Sequence, residues 1–110
     1  MEHRLTSFAE FWPFYLGEHR HPLNRTLHFV GSSLGLVCWI GFLSTFNYWL
    51  IPLGLLLGYG CAWIGHFFIE KNKPASFTYP LWSFLADWKM WAMMLTGRMG
   101  GEVRKAHGAV

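Results

Sequence analysis

His28 and His66 stand at equal sequence distance, nineteen residues, on either side of Asn47. If the chain folds back at Asn47 as two antiparallel helices, both imidazoles arrive at one depth. His19, in a turn just before the first helix, can descend onto the same place. Glu70 lies four residues after His66, so in a regular helix its carboxylate projects from the same face as that imidazole. Three imidazoles and one carboxylate would then converge. Neutral imidazole suits iron, zinc and copper, and three or four protein ligands leave positions open for dioxygen or a substrate. A single interfacial histidine often sits among lipid head groups with no site around it. The set is another matter, because ionisable groups at the edge of hydrocarbon are costly and are usually paired or functional. His3 and His107 fall near the termini and are assigned no role.

The elements that must hold these side chains are apolar. Of the 110 residues, 53% are hydrophobic and 19% aromatic, with only 14% charged, too apolar for a small soluble fold that must cover its surface. Residues 29–46 carry no charge, and residues 48–69 hold His66 as their one notable ionisable group. Each is long enough to span a bilayer. At about 1.5 Å rise per residue, the two histidines lie roughly 28 Å from the turn, about one hydrocarbon thickness. The expected fold is an all-α integral membrane protein of one domain, 1–110: a transmembrane helical hairpin, preceded by an N-terminal helix and followed by an amphipathic or third membrane helix over 80–96. Glu2, Glu10 and Glu18 occupy the region where a signal peptide has its apolar core, so the hairpin is expected to be retained. Ser7 and Glu10 have the spacing of a capping box for the N-terminal helix, and Pro13 is expected to break or restart it. Gly17 and Pro22 punctuate the following turn, with Pro22 at the first position of the next helix.

Arg4, Arg20 and Arg25 precede the first span, Lys71 and Lys73 follow the second, and the turn carries no charge. Both hairpin ends should therefore face the cytoplasm. The expected location is a bacterial inner membrane with the site at its cytoplasmic face. Asp87 and Lys89 among Trp82, Phe84, Leu85, Trp88 and Trp91 fit an interfacial helix better than a complete third crossing. The net charge of +3 is scattered over membrane flanks, which favours anionic lipid over nucleic acid as a partner. Cys38 and Cys61 lie about 7 Å apart in depth at the helical rise, so no disulfide is expected. Gly31 and Gly35, like Gly54 and Gly58, stand four apart and let helix backbones approach.

Two blocks carry a resemblance. The run from Phe11 to Gly31, FWPFYLGEHRHPLNRTLHFVG, and the run from Gly65 to Ala75, GHFFIEKNKPA, resemble a small membrane-protein family formerly of unknown function. Its fungal relatives are endoplasmic-reticulum 2-hydroxy fatty acid dioxygenases of phytosphingosine alpha-oxidation. The likeness extends roughly from Phe8 to Trp91. It implies ferrous iron as cofactor and removal of one carbon from a 2-hydroxy fatty acid. The matching positions are His19, His28 and His66, with Glu70, Asn72 and Pro74 in the second block. His21 stands where the fungal pattern admits another residue type and ranks below the other three.

The resulting expectation is an Fe(2+)-dependent dioxygenase acting on a 2-hydroxy fatty acid and O2 at the membrane interface. The metal is held by His19, His28 and His66, and Glu70 joins the catalytic group. Asn24, Arg25, His21, Asn72, Lys73 and Asp87 are placed behind the ligands or against the substrate. Arg25, Lys71 or Lys73 would receive the carboxylate, and Trp12, Phe14, Phe29, Trp63, Phe67, Trp82 and Trp88 would surround the tail. For Asp87, a position facing water is the favoured of its two readings. The alternative is a non-enzymatic membrane protein that binds lipid or metal, and a homo-oligomer is left open. Transport is disfavoured, because residues 34–63 carry almost no polar groups.

Overall fold

His21 starts the central element of the fold. Its Nδ1 accepts the backbone N–H of Leu23 at 3.1 Å, and Pro22, which has no N–H to lose, takes the first helical position. From there the computed structural model, which describes residues 5–107, runs as helix α2, Pro22–Thr45. Phe46 ends it in the left-handed region at φ 55°. The turn is then held by Asn47, whose side-chain oxygen accepts the N–H of Trp49 at 3.2 Å. Helix α3, Leu50–Ile64, returns antiparallel, with Pro52 in the first turn where an amide is not needed. It passes into a π-helical turn, Gly65–Glu70.

Glycine sets how close α2 and α3 come. A Cβ on Gly35 would stand 2.9 Å from the carbonyl oxygen of Gly54, and one on Gly31 would stand 2.7 Å from the Cβ of Cys61. The two cysteines are free. Outward-facing positions of the hairpin stay apolar and exposed, among them Val37, Leu43 and Leu56. Pro22–Thr45 and Leu50–Glu70 are both long and apolar enough to cross a membrane.

The other helices gather at the end away from the turn. Helix α1, Phe8–Gly17, buries Phe11, Trp12, Tyr15 and Leu16 against α4, Pro80–Leu95, and α5, Met99–His107. A short 3-10 turn, Ala75–Phe77, leads into α4. The Trp12 indole N–H donates to Glu102 at 3.0 Å and Lys89 lies 4.1 Å over the Trp12 ring, while Trp91 donates to Ser33 at 3.0 Å and ties α4 to α2. The fold therefore has a conventional packed core at one end and an exposed apolar hairpin at the other.

Two sequence expectations need correction here. Pro13 does not break α1, which continues through it. The helical bond it forfeits belongs to the carbonyl of Ala9, and both residues lie on the exposed face where that carbonyl meets solvent. Asp87 does not face water. It is turned inward from α4, and its carboxylate accepts the Tyr15 hydroxyl at 2.5 Å. The capping pair is close to its expected form: Ser7 accepts the N–H of Glu10, and the Glu10 carboxylate returns to the backbone N–H and hydroxyl of Thr6. His3 and Arg4, and the side chain of His107, lie outside the described residues.

Candidate metal centre

Three elements deliver one histidine each. His19 comes from the turn after α1, His28 from the second turn of α2, and His66 from the π-helical turn opposite. All three are buried, with exposures of 1%, 4% and 2%. Nε2 of His19 stands 3.0 Å from Nε2 of His28 and 3.0 Å from Nε2 of His66. Among the described residues they form the one group whose ligand atoms could share an ion.

Hydrogen bonding fixes which nitrogen of each ring is free. Nδ1 of His19 meets the carbonyl of Tyr15 at 2.7 Å, and Nδ1 of His28 meets the carbonyl of Asn24 at 3.0 Å. A carbonyl only accepts, so each Nδ1 carries the proton and each Nε2 presents a lone pair. His66 Nδ1 lies 2.7 Å from Oδ1 of Asn72. The amide group of Asn72 donates to the carbonyl and the carboxylate of Glu18, at 3.2 and 3.1 Å, which obliges its oxygen to face His66. The third Nε2 is therefore also a lone pair. Three buried acceptors directed at one another have no hydrogen between them and repel, unless a cation lies among them. A metal ion about 2.1 Å from two nitrogens 3.0 Å apart sees them at about 90°, the angle of adjacent octahedral positions. The donor set thus fits an ion that keeps further positions open.

Protonation favours the same reading. Burial, reinforced by His28 and His66, holds the His19 imidazole well below its ordinary pKa, so it is neutral and free to ligate. Asp87 is pushed by burial up to about 7, with the Tyr15 hydroxyl acting in the opposite direction.

The remaining expected residues take other positions. Glu70, the last residue of the π-turn, is engaged away from the histidines. Its carboxylate accepts the backbone N–H of His21 at 2.7 Å and the amide of Asn24 at 3.2 Å, and it is not in the histidine group. Arg25 donates to the carbonyls of His19 and Arg20, both at 2.8 Å, which pins the turn that carries His19. Lys73 lies 6.0 Å from the Phe77 ring. Asn24 is buried against Gly65, where an added Cβ would fall 1.8 Å from its side-chain oxygen. Of the aromatic residues expected around a tail, Trp63 lines the histidine cavity and Trp88 an adjoining groove, whereas Trp12 belongs to the helical core and Phe29 stacks on Trp91.

Sequence reasoning missed Tyr15, which stacks on His19 with ring centroids 3.9 Å apart and supplies its carbonyl. It also missed Ser83, buried in the wall of the histidine cavity. The spacings were a usable signal: Tyr15 is four before His19, and Ser83 is four before Asp87 on one face of α4.

A family model described as 2-hydroxy-palmitic acid dioxygenase Mpo1-like matches residues 5–99. No curated protein and no solved structure gives a significant match.

Proposed function

Since the chain belongs to the Mpo1-like family, whose description is a 2-hydroxy-palmitic acid dioxygenase, we propose that it is an iron(II)-dependent dioxygenase that shortens a 2-hydroxy fatty acid by one carbon. The observation that carries the proposal is the convergence of three Nε2 lone pairs, each fixed by a proton held on the opposite ring nitrogen. His19, His28 and His66 hold the ion. Ferrous iron bound there supplies the electrons that activate dioxygen.

The chain's own groups do the positioning. The carbonyls of Tyr15 and Asn24 and the amide of Asn72 hold the rings in orientation, which raises ligand basicity and fixes the tautomers. Arg25 locks the His19 turn from behind. Burial among Tyr15, Ala62 and Ala75 keeps bulk water from the centre. Glu70 belongs to the frame around the ligands, joining the start of α2 to the end of the π-turn.

Protein purified anaerobically in mild detergent should retain iron. It should consume dioxygen with 2-hydroxypalmitic acid and yield the acid one carbon shorter, identified by mass spectrometry. Absence of iron together with absence of oxygen uptake across a range of 2-hydroxy acids would overturn the reading in favour of a membrane lipid- or metal-binding protein.

We also place α2 and α3 across a bacterial inner membrane, with the histidines at the cytoplasmic face. The exposed apolar surface of the hairpin and the flanking Arg20, Arg25, Lys71 and Lys73 support this. In a background without Cys38 and Cys61, a cysteine at position 47 should react with an impermeant maleimide from the periplasmic side. Reaction from the cytoplasmic side alone would reverse the orientation.

A further inference from the structure

A groove leads away from the histidines along the hairpin. It lies between α2, α3 and α4, with His28 and Asp87 at one end, Gly35 and Gly58 on its flank, and Trp39 and Trp88 at the other end. Its upper end is continuous with the histidine cavity, for His28, Tyr59, Ala62 and Asp87 line both. The glycines explain the space. Those at 31, 35 and 54 bring the two backbones together, but a Cβ on Gly58 would meet only the carbonyl oxygen of Gly31, at 3.8 Å, so that flank stays open.

The two ends differ in chemistry. In the histidine cavity the Ser83 hydroxyl is buried, with 3% exposure, and its oxygen has no hydrogen-bond partner. Asp87 follows one turn later on the same helix. A buried hydroxyl without a partner is costly and points to a ligand that would satisfy it. At the far end the Trp39 indole donates to the carbonyl of Ile51 at 3.3 Å and rests on Gly54, where a Cβ would come 2.7 Å from its nitrogen. Trp39 is thereby fixed, and Trp88 faces it with ring centroids 6.4 Å apart.

A polar head with one unbranched apolar tail matches this shape. We propose that the groove takes the alkyl tail of the 2-hydroxy acid, that Ser83 and Asp87 flank its head beside the histidines, and that Trp39 and Trp88 set the longest tail accepted. The proposal rests on the dioxygenase reading. His28 and Trp39 are eleven residues apart on one helix, roughly 16 Å along its axis, which is an upper bound on the length of tail the groove can follow.

The test compares wild type with Trp88→Ala and Gly58→Leu on saturated 2-hydroxy acids running from short to very long chains. The readout is the ratio of long-chain to short-chain kcat/KM within each protein, which cancels any loss of folded material. Trp88→Ala should move the preferred length up by roughly two to four carbons, about the span of the lost indole. Gly58→Leu should lower the ratio at least about tenfold. Independently of turnover, a 2-hydroxy acid with a terminal diazirine should label peptides containing Trp39 or Trp88, and unlabelled 2-hydroxy acid should compete where phospholipid does not. Unchanged ratios in both variants, labelling of the outward hairpin face, or equal competition by phospholipid would overturn the groove. Labelling in the groove without any oxygen consumption would instead defeat the dioxygenase reading and leave the groove standing.

Discussion

Replacing His19, His28 or His66 singly with alanine is expected to remove bound iron and dioxygen consumption together, to near completeness. Two remaining imidazoles hold ferrous iron poorly against water, and alanine offers no ligand in place of the lost one. Binding to the folded form alone should also appear as stability: about 2.7 kcal/mol when free metal is a hundredfold above its Kd. Wild-type protein in detergent should therefore unfold at a higher temperature with added ferrous ion than with a chelator, and the three variants should lose that difference. His21→Ala provides the contrast. It removes a helix cap worth about 1 kcal/mol, yet its ring is no part of the metal group, so iron content should persist. His3→Ala should likewise leave iron content unchanged. Wild-type iron content in His28→Ala, or equal iron loss in His21→Ala, would sink the three-histidine centre.

The histidine set was legible because two simple quantities determine it. Helical rise converts the equal spacing of His28 and His66 from Asn47 into equal depth, and the turn bounded by Gly17 and Pro22 leaves His19 nowhere to go but the end of the hairpin. What spacing could not supply was rotation about the helix axis. A four-residue separation promised that Glu70 would join His66, but it does not say which way the end of that turn faces, and Glu70 lies on the backbone of His21 and the amide of Asn24 instead. Asp87 was misjudged for a related reason. Its charge argued for water, and only the packing of α1 on α4 shows that a tyrosine hydroxyl waits for it inside. Pro13 was read from its missing donor alone, without the exposed face that makes the loss tolerable.

Asn72→Ala should weaken metal binding about 10- to 100-fold, or roughly 1.4 to 2.7 kcal/mol, although Asn72 touches no metal. Its oxygen accepts from His66 and holds the proton on Nδ1; without it the ring can place a proton on Nε2, where it would face the other two imidazoles and block ligation. A competition titration with a chromophoric chelator measures the loss. Asn72→Asp separates orientation from charge. The aspartate still accepts from His66, but it sets a carboxylate against that of Glu18, which now accepts from the Asn72 amide at 3.1 Å. That variant alone should bind metal weakly, because repulsion turns the new carboxylate out of line. Adding Glu18→Gln restores a donor opposite it but leaves the Glu18 backbone carbonyl facing the new carboxylate, so the double variant should recover part of the wild-type affinity. Unaltered affinity in Asn72→Ala would show that the tautomer of His66 is set by something else. Failure of the double variant to recover would remove Glu18 from the chain of bonds that orients the ring.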